Sequence, residues 1–268
     1  MSADDLIDAV GNRHASAQGP VRIVSLVPSL TELLFALDLQ DQLVGRTAFC
    51  IEPAGRIEAV PVVGGTKTFE LDKLMALKPT HVLVNVDETP KALADQISAA
   101  GPAVVVTHPN TPADNIALYQ LFGGLFQRHD LAGDLVAALE RELRRTTVWP
   151  ERKVLYLIWK RPWMTVSQDT YIASMLSMFG MQTQCHDPAR RYPEVAMDAA
   201  LLAKTDLVLF STEPFPFAAK HRDAFAREFQ TDGRPQLRAI DGKMVSWYGS
   251  RTIEGLRYLH AFTTQLEN

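Results

Sequence analysis

The chain has 268 residues, of which 47% are hydrophobic and 22% are charged, and its net charge is −4. This is the composition of an ordinary globular protein with enough length for two modest domains. The slight acidic excess argues against nucleic-acid binding by bulk charge, and the lack of a long apolar run argues against a membrane-inserted helix.

The first twenty residues are polar and small, and we expect residues 1–20 to form an N-terminal arm. They lack a basic start followed by an apolar core, so the sequence as written predicts a cytoplasmic protein. A periplasmic location is expected instead if a leader has been removed. The two cysteines, Cys50 and Cys185, are far apart in the sequence and predict no disulfide framework.

Five short apolar runs rich in valine, isoleucine and leucine follow along the chain. Runs of this kind, which do not alternate apolar with polar residues, predict strands buried on both faces, as in parallel sheets. They are Val21–Val27, His81–Val86, Ala103–Thr107, Val154–Trp159 and Leu207–Ser211. Segments of helical period lie between them, and this alternation predicts an α/β fold.

Three helix starts are signalled by residue type. Ser29 and Glu32 have the spacing of a capping box just after Pro28, which predicts the first helix there. Later helices are predicted to begin at Thr89-Pro90 and at Thr111-Pro112, because each pair offers a threonine cap followed by proline.

The chain also repeats itself weakly, and its middle is helical in period. LMALKPTHVLVN at 74–85 and LLAKTDLVLFS at 201–211 each read as a helix end, a tight turn and a buried strand. They indicate either two similar lobes or two unrelated αβ units. Residues 127–149 predict one connecting helix of about 30 Å at about 1.5 Å per residue. The predicted domains are therefore an N-terminal lobe at 21–126 and a C-terminal lobe at 150–268.

Several stretches, taken in order, resemble a known family. RIVSLVPSLTELLFAL, LVGRTAFCIEPA and VPVVGGTKTFELDKLMALKPTHVLVNV are similar to the helical-backbone (class III) substrate-binding proteins, and RRYPEVAMDAALLAKTDLVLF and DGKMVSWYGSR extend the likeness. The family serves ABC importers of cobalamin, ferric siderophores and haem, and its cobalamin-binding members look closest. The resemblance implies two Rossmann-like lobes with mainly parallel sheets, one long backbone helix between them, and a ligand cleft between the lobes.

The candidate ligand-binding residues come from loops beyond the carboxyl ends of the predicted strands, where open parallel sheets bind their ligands. The second-lobe loops are rich in aromatic residues, which suit flat, partly apolar ligands such as corrinoids or porphyrins. The alternative is that these rings only cover the sheet ends. The candidates are Ser29, Phe49, Cys50, Thr66, Trp159, Arg161, Trp163, Tyr192, Glu213, Phe215, Trp247, Tyr248 and Arg251.

The resemblance gives some of these residues a more specific role. Phe49 and Thr66 fall where the first lobe of cobalamin binders presents side chains to the ring, although a tryptophan stands near the position of Thr66 in the cobalamin receptor. Tyr192 matches an aromatic residue before proline, and Trp247 and Tyr248 match the last cleft loop.

Two further side-chain types have two interpretations each. Cys50 offers a thiolate to a ligand metal or serves as a small apolar filler. Arg161 and Arg251 offer bidentate donors to ligand carboxylates or phosphate, or they form a solvated rim. The histidines show no spacing typical of a protein-ligated metal site, so we expect neither a metal site nor a resident cofactor.

These observations predict a monomeric binding protein for a metal chelate and not an enzyme. A corrinoid such as cobalamin is the preferred ligand, and a ferric siderophore or haem is the alternative. A cytoplasmic enzyme that uses the same cleft on a small acidic substrate remains the second hypothesis, with no catalytic residue assigned. An ABC permease is a candidate partner through Asp72 or Glu70, but no second docking acid stands near Gly249.

Overall fold

The computed structural model describes residues 6–65, 68–145, 147–231 and 233–267. The chain divides into two compact units, and each unit has an α/β fold. The first unit takes its described residues from Met1–Pro109, Ala113–Arg141 and Tyr248–Arg251, and the second takes them from Asn110–Pro112, Glu142–Trp247 and Thr252–Asn268. The predicted α/β class with parallel sheets is confirmed.

The first unit contains a five-stranded sheet in which all pairings are parallel. Its strands are β3 (Ile23–Ser25), β4 (Leu43–Thr47), β5 (Val62–Gly64), β6 (His81–Asn85) and β7 (Ala103–Thr107), in the order β5-β4-β3-β6-β7. A two-stranded antiparallel ribbon, β1 (Leu6–Ile7) and β2 (Arg13–His14), precedes it.

Helices alternate with the strands of this part of the chain or follow them. They are α1 (Pro28–Ala36), α2 (Leu71–Ala76), α3 (Lys91–Ala99), α4 (Asp114–Leu125) and α5 (His129–Leu143). Leu74 of α2 and Ile97 of α3 pack on Val24, Val82 and Val84 of the strands, and all five side chains are buried. Burial on this scale, about 25 cal/mol per Å² of apolar surface, is the main stabilising term of the unit.

The second unit has a four-stranded parallel sheet. Its strands are β8 (Arg152–Leu157), β9 (Met181–Thr183), β10 (Leu207–Ser211) and β11 (Gln236–Ile240), in the order β11-β10-β8-β9. Its helices are α6 (Tyr171–Ser177), α7 (Ala199–Ala203), α8 (Ala219–Phe229), α9 (Gly242–Ser246) and α10 (Arg251–Glu267). Leu155, Leu157, Val208, Phe210 and Phe225 form its core.

All five predicted strands are present, with ends shifted by no more than a few residues. The weak repeat is also real in structure, because α2 leads into β6 as α7 leads into β10. The sequence analysis missed β1, β2, β4, β5, β9 and β11. These strands are short or carry polar residues, as in the partly exposed edge strand β11.

The helix in the segment predicted to connect the lobes is shorter than expected. The sequence suggested 127–149, but α5 covers only His129–Leu143, which is about 22 Å at about 1.5 Å per residue. Gln127 has φ +55°, a left-handed conformation that separates α4 from α5. Beyond α5, the β-branched residues Thr147 and Val148 and the approach to Pro150 disfavour a further helical turn.

The predicted helix starts also need correction. Proline is favoured in the first helical turn, and α1 begins at Pro28, so Ser29 lies inside the helix and makes no cap. Helices α3 and α4 begin at Lys91 and Asp114, after the prolines expected to open them.

The predicted N-terminal arm is docked on the first sheet over its described part. The amide of Ala9 donates to the carbonyl of Val106 at 2.9 Å, and the amide of Val106 donates to the Asp8 carboxylate at 3.1 Å. The ribbon therefore covers the outer edge of β7. Among the described helices, none combines the length and apolar character that a membrane crossing requires.

Candidate ligand-binding site

Each sheet has one point where the strand order reverses. In the first sheet the chain builds outward from β3 through β4 and β5 on one side, and through β6 and β7 on the other. In the second sheet the reversal lies between β8 and β10. Such a reversal leaves a crevice beyond the carboxyl ends of the strands, where ligands of open α/β sheets bind.

The reversal point of the second unit carries two aromatic rings in contact. Trp159 follows β8 and Phe215 follows β10, and their rings meet edge to face with centroids 5.6 Å apart. Trp159 is 41% exposed, which is unusual for so large an apolar ring. Phe215 is half-buried and rests on Phe217 at 4.6 Å. The core thus supports Phe215, and Phe215 supports a partly exposed Trp159.

Backbone pairing also places the segment of a second exposed ring, Tyr192, beside the segment that follows Trp159. Met164 bridges both Trp159 and Glu194, and the amide of Val195 donates to the Trp163 carbonyl at 2.9 Å. The segment that carries Tyr192 therefore runs beside the segment that follows Trp159. Tyr192 is 37% exposed.

Arg161 lies in the turn between Trp159 and Trp163, with φ +66° and an exposed side chain. It can therefore reach a ligand without displacing a core residue. Trp163 has a different environment. It stacks on Phe217 at 6.2 Å and meets Phe225 edge to face at 5.5 Å. Core packing accounts for the position of Trp163. This ring therefore covers the end of the sheet, as in the second interpretation of the aromatic loops, and is not needed for ligand contact.

Glu213 and Trp247 bind each other. The indole Nε1 of Trp247 and the hydroxyl of Ser246 donate to Oε1 of Glu213, at 2.6 and 3.0 Å. Burial raises the pKa of the Glu213 carboxyl. Gly242 is needed here, since a Cβ would lie 2.5 Å from Cγ of Glu213. Trp247 is only 8% exposed, and its indole N–H binds the Glu213 carboxylate.

The reversal point of the first unit is filled by a tyrosine of that unit. The Tyr248 hydroxyl lies near Ser29, Asn85 and Thr107, which stand at or just beyond the ends of β3, β6 and β7. The ring is 6% exposed and Ser29 is 4% exposed. Burial raises the pKa of Tyr248 well above its ordinary value, so the phenol stays protonated.

The sequence analysis assigned Tyr248 and Arg251 to the second lobe, and the structure corrects this. The Gly249 amide donates to Oδ1 of Asn115 at 2.6 Å, and the Gly249 carbonyl accepts from the Tyr119 hydroxyl at 2.8 Å. Gly249 adopts φ +78°, a conformation that glycine reaches without strain. These contacts fix Tyr248–Arg251 to the first unit.

Arg251 is held by a carboxylate of the protein. Its Nε donates to Oε2 of Glu32 at 2.8 Å, and a second guanidinium nitrogen contacts the other oxygen of the same carboxylate. This bidentate pair uses the donors that the sequence analysis offered to a ligand. Glu32 thus serves as the partner of Arg251 and not as part of the predicted capping box.

The remaining first-lobe candidates differ in exposure. Phe49 is 61% exposed in the turn after β4 and is available to a ligand. Cys50 is fully buried, its Sγ lies 3.2 Å from Oγ1 of Thr47, and burial raises its pKa. The thiolate is therefore disfavoured, and Cys50 is the small filler of the alternative interpretation. Thr66 lies outside the described residues.

Several residues that shape these crevices were not assigned this role from the sequence. Asn115, Tyr119, Thr107 and Glu32 hold the segment after Trp247, and two of them lie on α4, whose residues gave no functional signal. Across the described ranges, no three side chains of histidine, cysteine, aspartate or glutamate gather as a metal site would require.

Known proteins resemble this chain in sequence and in structure. The vitamin B12-binding protein of Photorhabdus laumondii subsp. laumondii is 25% identical over 206 residues, which are 74% of this chain and 73% of the relative. The vitamin B12-binding protein of Yersinia pestis (strain Pestoides F) is 26% identical over 202 residues, covering 73% and 71%. The alignments therefore span most of both chains.

Solved structures share the fold. The periplasmic vitamin B12 binding protein BtuF of Vibrio cholerae matches with a TM-score of 0.78 at 18% identity, covering 92% of this chain and 98% of that one. The periplasmic heme binding protein HutB of Vibrio cholerae matches with a TM-score of 0.73 at 21% identity, covering 93% and 100%. At these identities the likeness establishes the fold.

A family model described as periplasmic binding protein matches residues 23–240, which include both parallel sheets and most of the loops at their carboxyl ends. The match covers well over half of the chain. The resemblance noted in the sequence is thereby confirmed, and the chain belongs to the periplasmic binding protein family.

Proposed function

We propose that the chain binds a corrinoid, a cobalt chelate of the cobalamin type, and releases it chemically unchanged. The observation that carries the proposal is the partly exposed Trp159 ring, supported by Phe215 at the strand-order reversal of the second sheet. Relatives that align over most of this chain are named vitamin B12-binding proteins, which supports a corrinoid over other chelates.

The exposed side chains suit the chemistry of such a ligand. A corrin ring has broad apolar faces, and aromatic rings supply large contact areas with little loss of side-chain entropy. Trp159 and Tyr192 of the second unit are exposed enough to provide this contact, and the first unit, taken by itself, offers the exposed ring of Phe49. Arg161 supplies an exposed guanidinium for polar groups at the ligand periphery, such as a phosphate.

Haem is the second candidate ligand, and Tyr192 is the residue that favours it. A phenolate oxygen is an established axial ligand of haem iron. Tyr192 is 37% exposed, so part of its side chain is open to a ligand. A corrinoid that already carries both axial ligands has no need of such a group, which makes the two candidates separable by spectroscopy.

We further propose that the protein works outside the cytoplasmic membrane and hands its ligand to an ABC permease, as the family implies. Asp72 or Glu70 at the start of α2 is the candidate contact for an arginine of the permease. Glu70 accepts a hydrogen bond from Lys73 at 2.7 Å, which leaves Asp72 as the better candidate. Gly249, which the sequence matched to the second docking position, is buried in the first unit, so a permease contact of the second unit must use other residues.

Tryptophan fluorescence tests the proposed ligand. Cyanocobalamin, hemin and a ferric siderophore are titrated separately into the protein, with free tryptophan as the control for light absorption by the ligand. Saturable quenching by cyanocobalamin at one equivalent is expected, because Trp159 would lie against the ring. Quenching by hemin with a new charge-transfer band would favour haem and Tyr192, and no saturable quenching by cyanocobalamin or hemin would refute both candidates.

A further inference from the structure

The first unit has an open groove away from the residues proposed to bind the chelate. It has a volume of about 630 Å³, and it lies between the β1–β2 ribbon, the edge strand β7 and helix α3. This volume falls within the range of about 300–1,000 Å³ that is typical of small-molecule sites. None of the described candidate ligand residues lines it.

The floor of the groove is apolar and partly open. Val84, Val104 and Val106 line it from β6 and β7, and Val10 and Val86 line it from the ribbon and the end of β6. Val10 is 56% exposed and Val86 is 43% exposed. Val84 and Val104 are buried with Ile97 of α3, so the open apolar surface of the groove belongs to Val10, Val86 and the half-buried Val106. An apolar ligand group that covered them would remove their surface from water.

The rim of the groove carries more positive than negative charge. Arg13 and Lys91 line it, and Asp95 is the only carboxylate among the described lining residues. Lys91 already pairs with Asp95 at 2.7 Å, but this pair is solvent-exposed, and an ammonium has three donors. The charge balance therefore favours an anionic group on the ligand.

The start of α3 adds to this preference. No side chain caps the first amides of the helix, so its positive end faces the rim beside Lys91. Thr89 precedes the helix, lines the groove and is 5% exposed, and its hydroxyl finds no partner among the described residues. An acceptor oxygen at this point would satisfy a donor that is otherwise costly to bury.

We propose that this groove is a second binding site, for a small amphipathic carboxylate whose apolar tail lies on the valines and whose carboxylate lies between Lys91 and Arg13. The site lies within the first unit alone. It shares Asn85 with the surroundings of the Tyr248 hydroxyl, so an occupied groove contacts a residue that also shapes the first crevice.

Amide chemical shifts of the whole protein test the proposal with three probes. Octanoate has both the tail and the charge, octanamide has the tail alone, and acetate has the charge alone. Saturable shifts at Val10, Val86 and Lys91 are expected with octanoate, with about tenfold weaker binding of octanamide and no saturation by acetate. No saturable shift with octanoate, or equal binding of octanamide, would overturn the proposal.

Matched variants locate the site. Val10→Asn combined with Val86→Asn should weaken octanoate about tenfold or more, whereas Val62→Asn, at a 45% exposed valine of β5, should not. Lys91→Gln should weaken octanoate, whereas Lys73→Gln, which breaks the similar exposed pair with Glu70, should not. Equal effects of the paired variants would overturn the proposal. Trp159→Ala should leave octanoate binding unchanged, which separates this test from that of the chelate site.

Discussion

The rings of Trp159 and Phe215 meet edge to face at 5.6 Å, across the point where the strand order of the second sheet reverses. Trp159 is 41% exposed despite its contact with Phe215. Binding surfaces typically contain large apolar rings of this kind, which pack on the core on one side and are exposed to solvent on the other.

Trp159→Ala is expected to weaken binding of the chelate about 10- to 100-fold, because a central aromatic contact carries a large share of binding energy. The free energy of unfolding should change little, since the ring is partly exposed in the unliganded protein. Calorimetry of ligand binding and urea unfolding measure the two effects. Met178→Ala, at a 39% exposed residue after α6, is the control and should leave affinity unchanged. Equal losses of affinity in both variants would contradict the assignment.

Glu213→Gln should alter the pH dependence of stability. Burial raises the pKa of Glu213, so the folded state favours its protonated form, and that contribution is lost as the pH rises through the raised value. Glutamine keeps an acceptor for Trp247 and carries no charge. The stability of the variant relative to the wild type should therefore increase from pH 4 to pH 7 in urea unfolding. A relative stability that is constant or falls over this range would show that the buried charge is fully compensated.

Asp8→Asn should loosen the N-terminal ribbon. Burial opposes ionisation of Asp8, but hydrogen bonds from the Val106 amide, His14, and the Asn12 and Val10 amides lower its pKa below the ordinary value. The wild-type carboxylate therefore stabilises the fold above the ordinary aspartate pKa, and this effect is lost as the pH falls through the lowered value.

We expect Asp8→Asn to cost about 1–3 kcal/mol at pH 7, from hydrogen bonds to a charged acceptor, and much less at pH 2. Hydrogen exchange should show faster exchange of the Ala9 and Val106 amides in the variant. Asp41→Asn, at an exposed aspartate outside the ribbon, serves as the control. A cost that does not depend on pH would rule out the carboxylate as its source.

Tyr248→Phe separates structure from ligand contact. The change removes a buried hydroxyl that Ser29, Asn85 and Thr107 surround, so it should cost about 1–3 kcal/mol of stability. Because Tyr248 is 6% exposed, chelate affinity should fall less than in Trp159→Ala. An unchanged unfolding free energy together with a large loss of affinity would mean that Tyr248 contacts the ligand directly.

The sequence predicted the buried parallel strands well because each is marked by a local apolar run. His81–Asn85 and Leu207–Ser211 are buried at every position, so their signal is continuous. Strand β4 was missed because Gly45 and Arg46 interrupt its pattern. Gly45 has a tertiary reason, since a Cβ there would lie 2.5 Å from Cδ1 of Leu77.

The candidate site could be predicted only in part. The loops beyond the strands are local features, and Trp159 and Phe215 were found from them. The assignment of Tyr248 to the first unit depends on contacts of Gly249 with Asn115 and Tyr119, which lie 134 and 130 positions away. Local periodicity carries no information about such long-range contacts. The sequence analysis therefore placed Tyr248–Arg251 in the same lobe as the residues beside it in the chain.

Calorimetric titration of the protein with cyanocobalamin tests the central claim most directly. We predict saturation at one equivalent with micromolar or tighter affinity, corresponding to about −8 kcal/mol or more, and a negative heat-capacity change from burial of apolar surface. The Trp159→Ala variant, measured beside it, should bind more weakly at the same stoichiometry. No saturable heat with the wild-type protein at millimolar ligand would contradict the account of this chain as a corrinoid-binding protein.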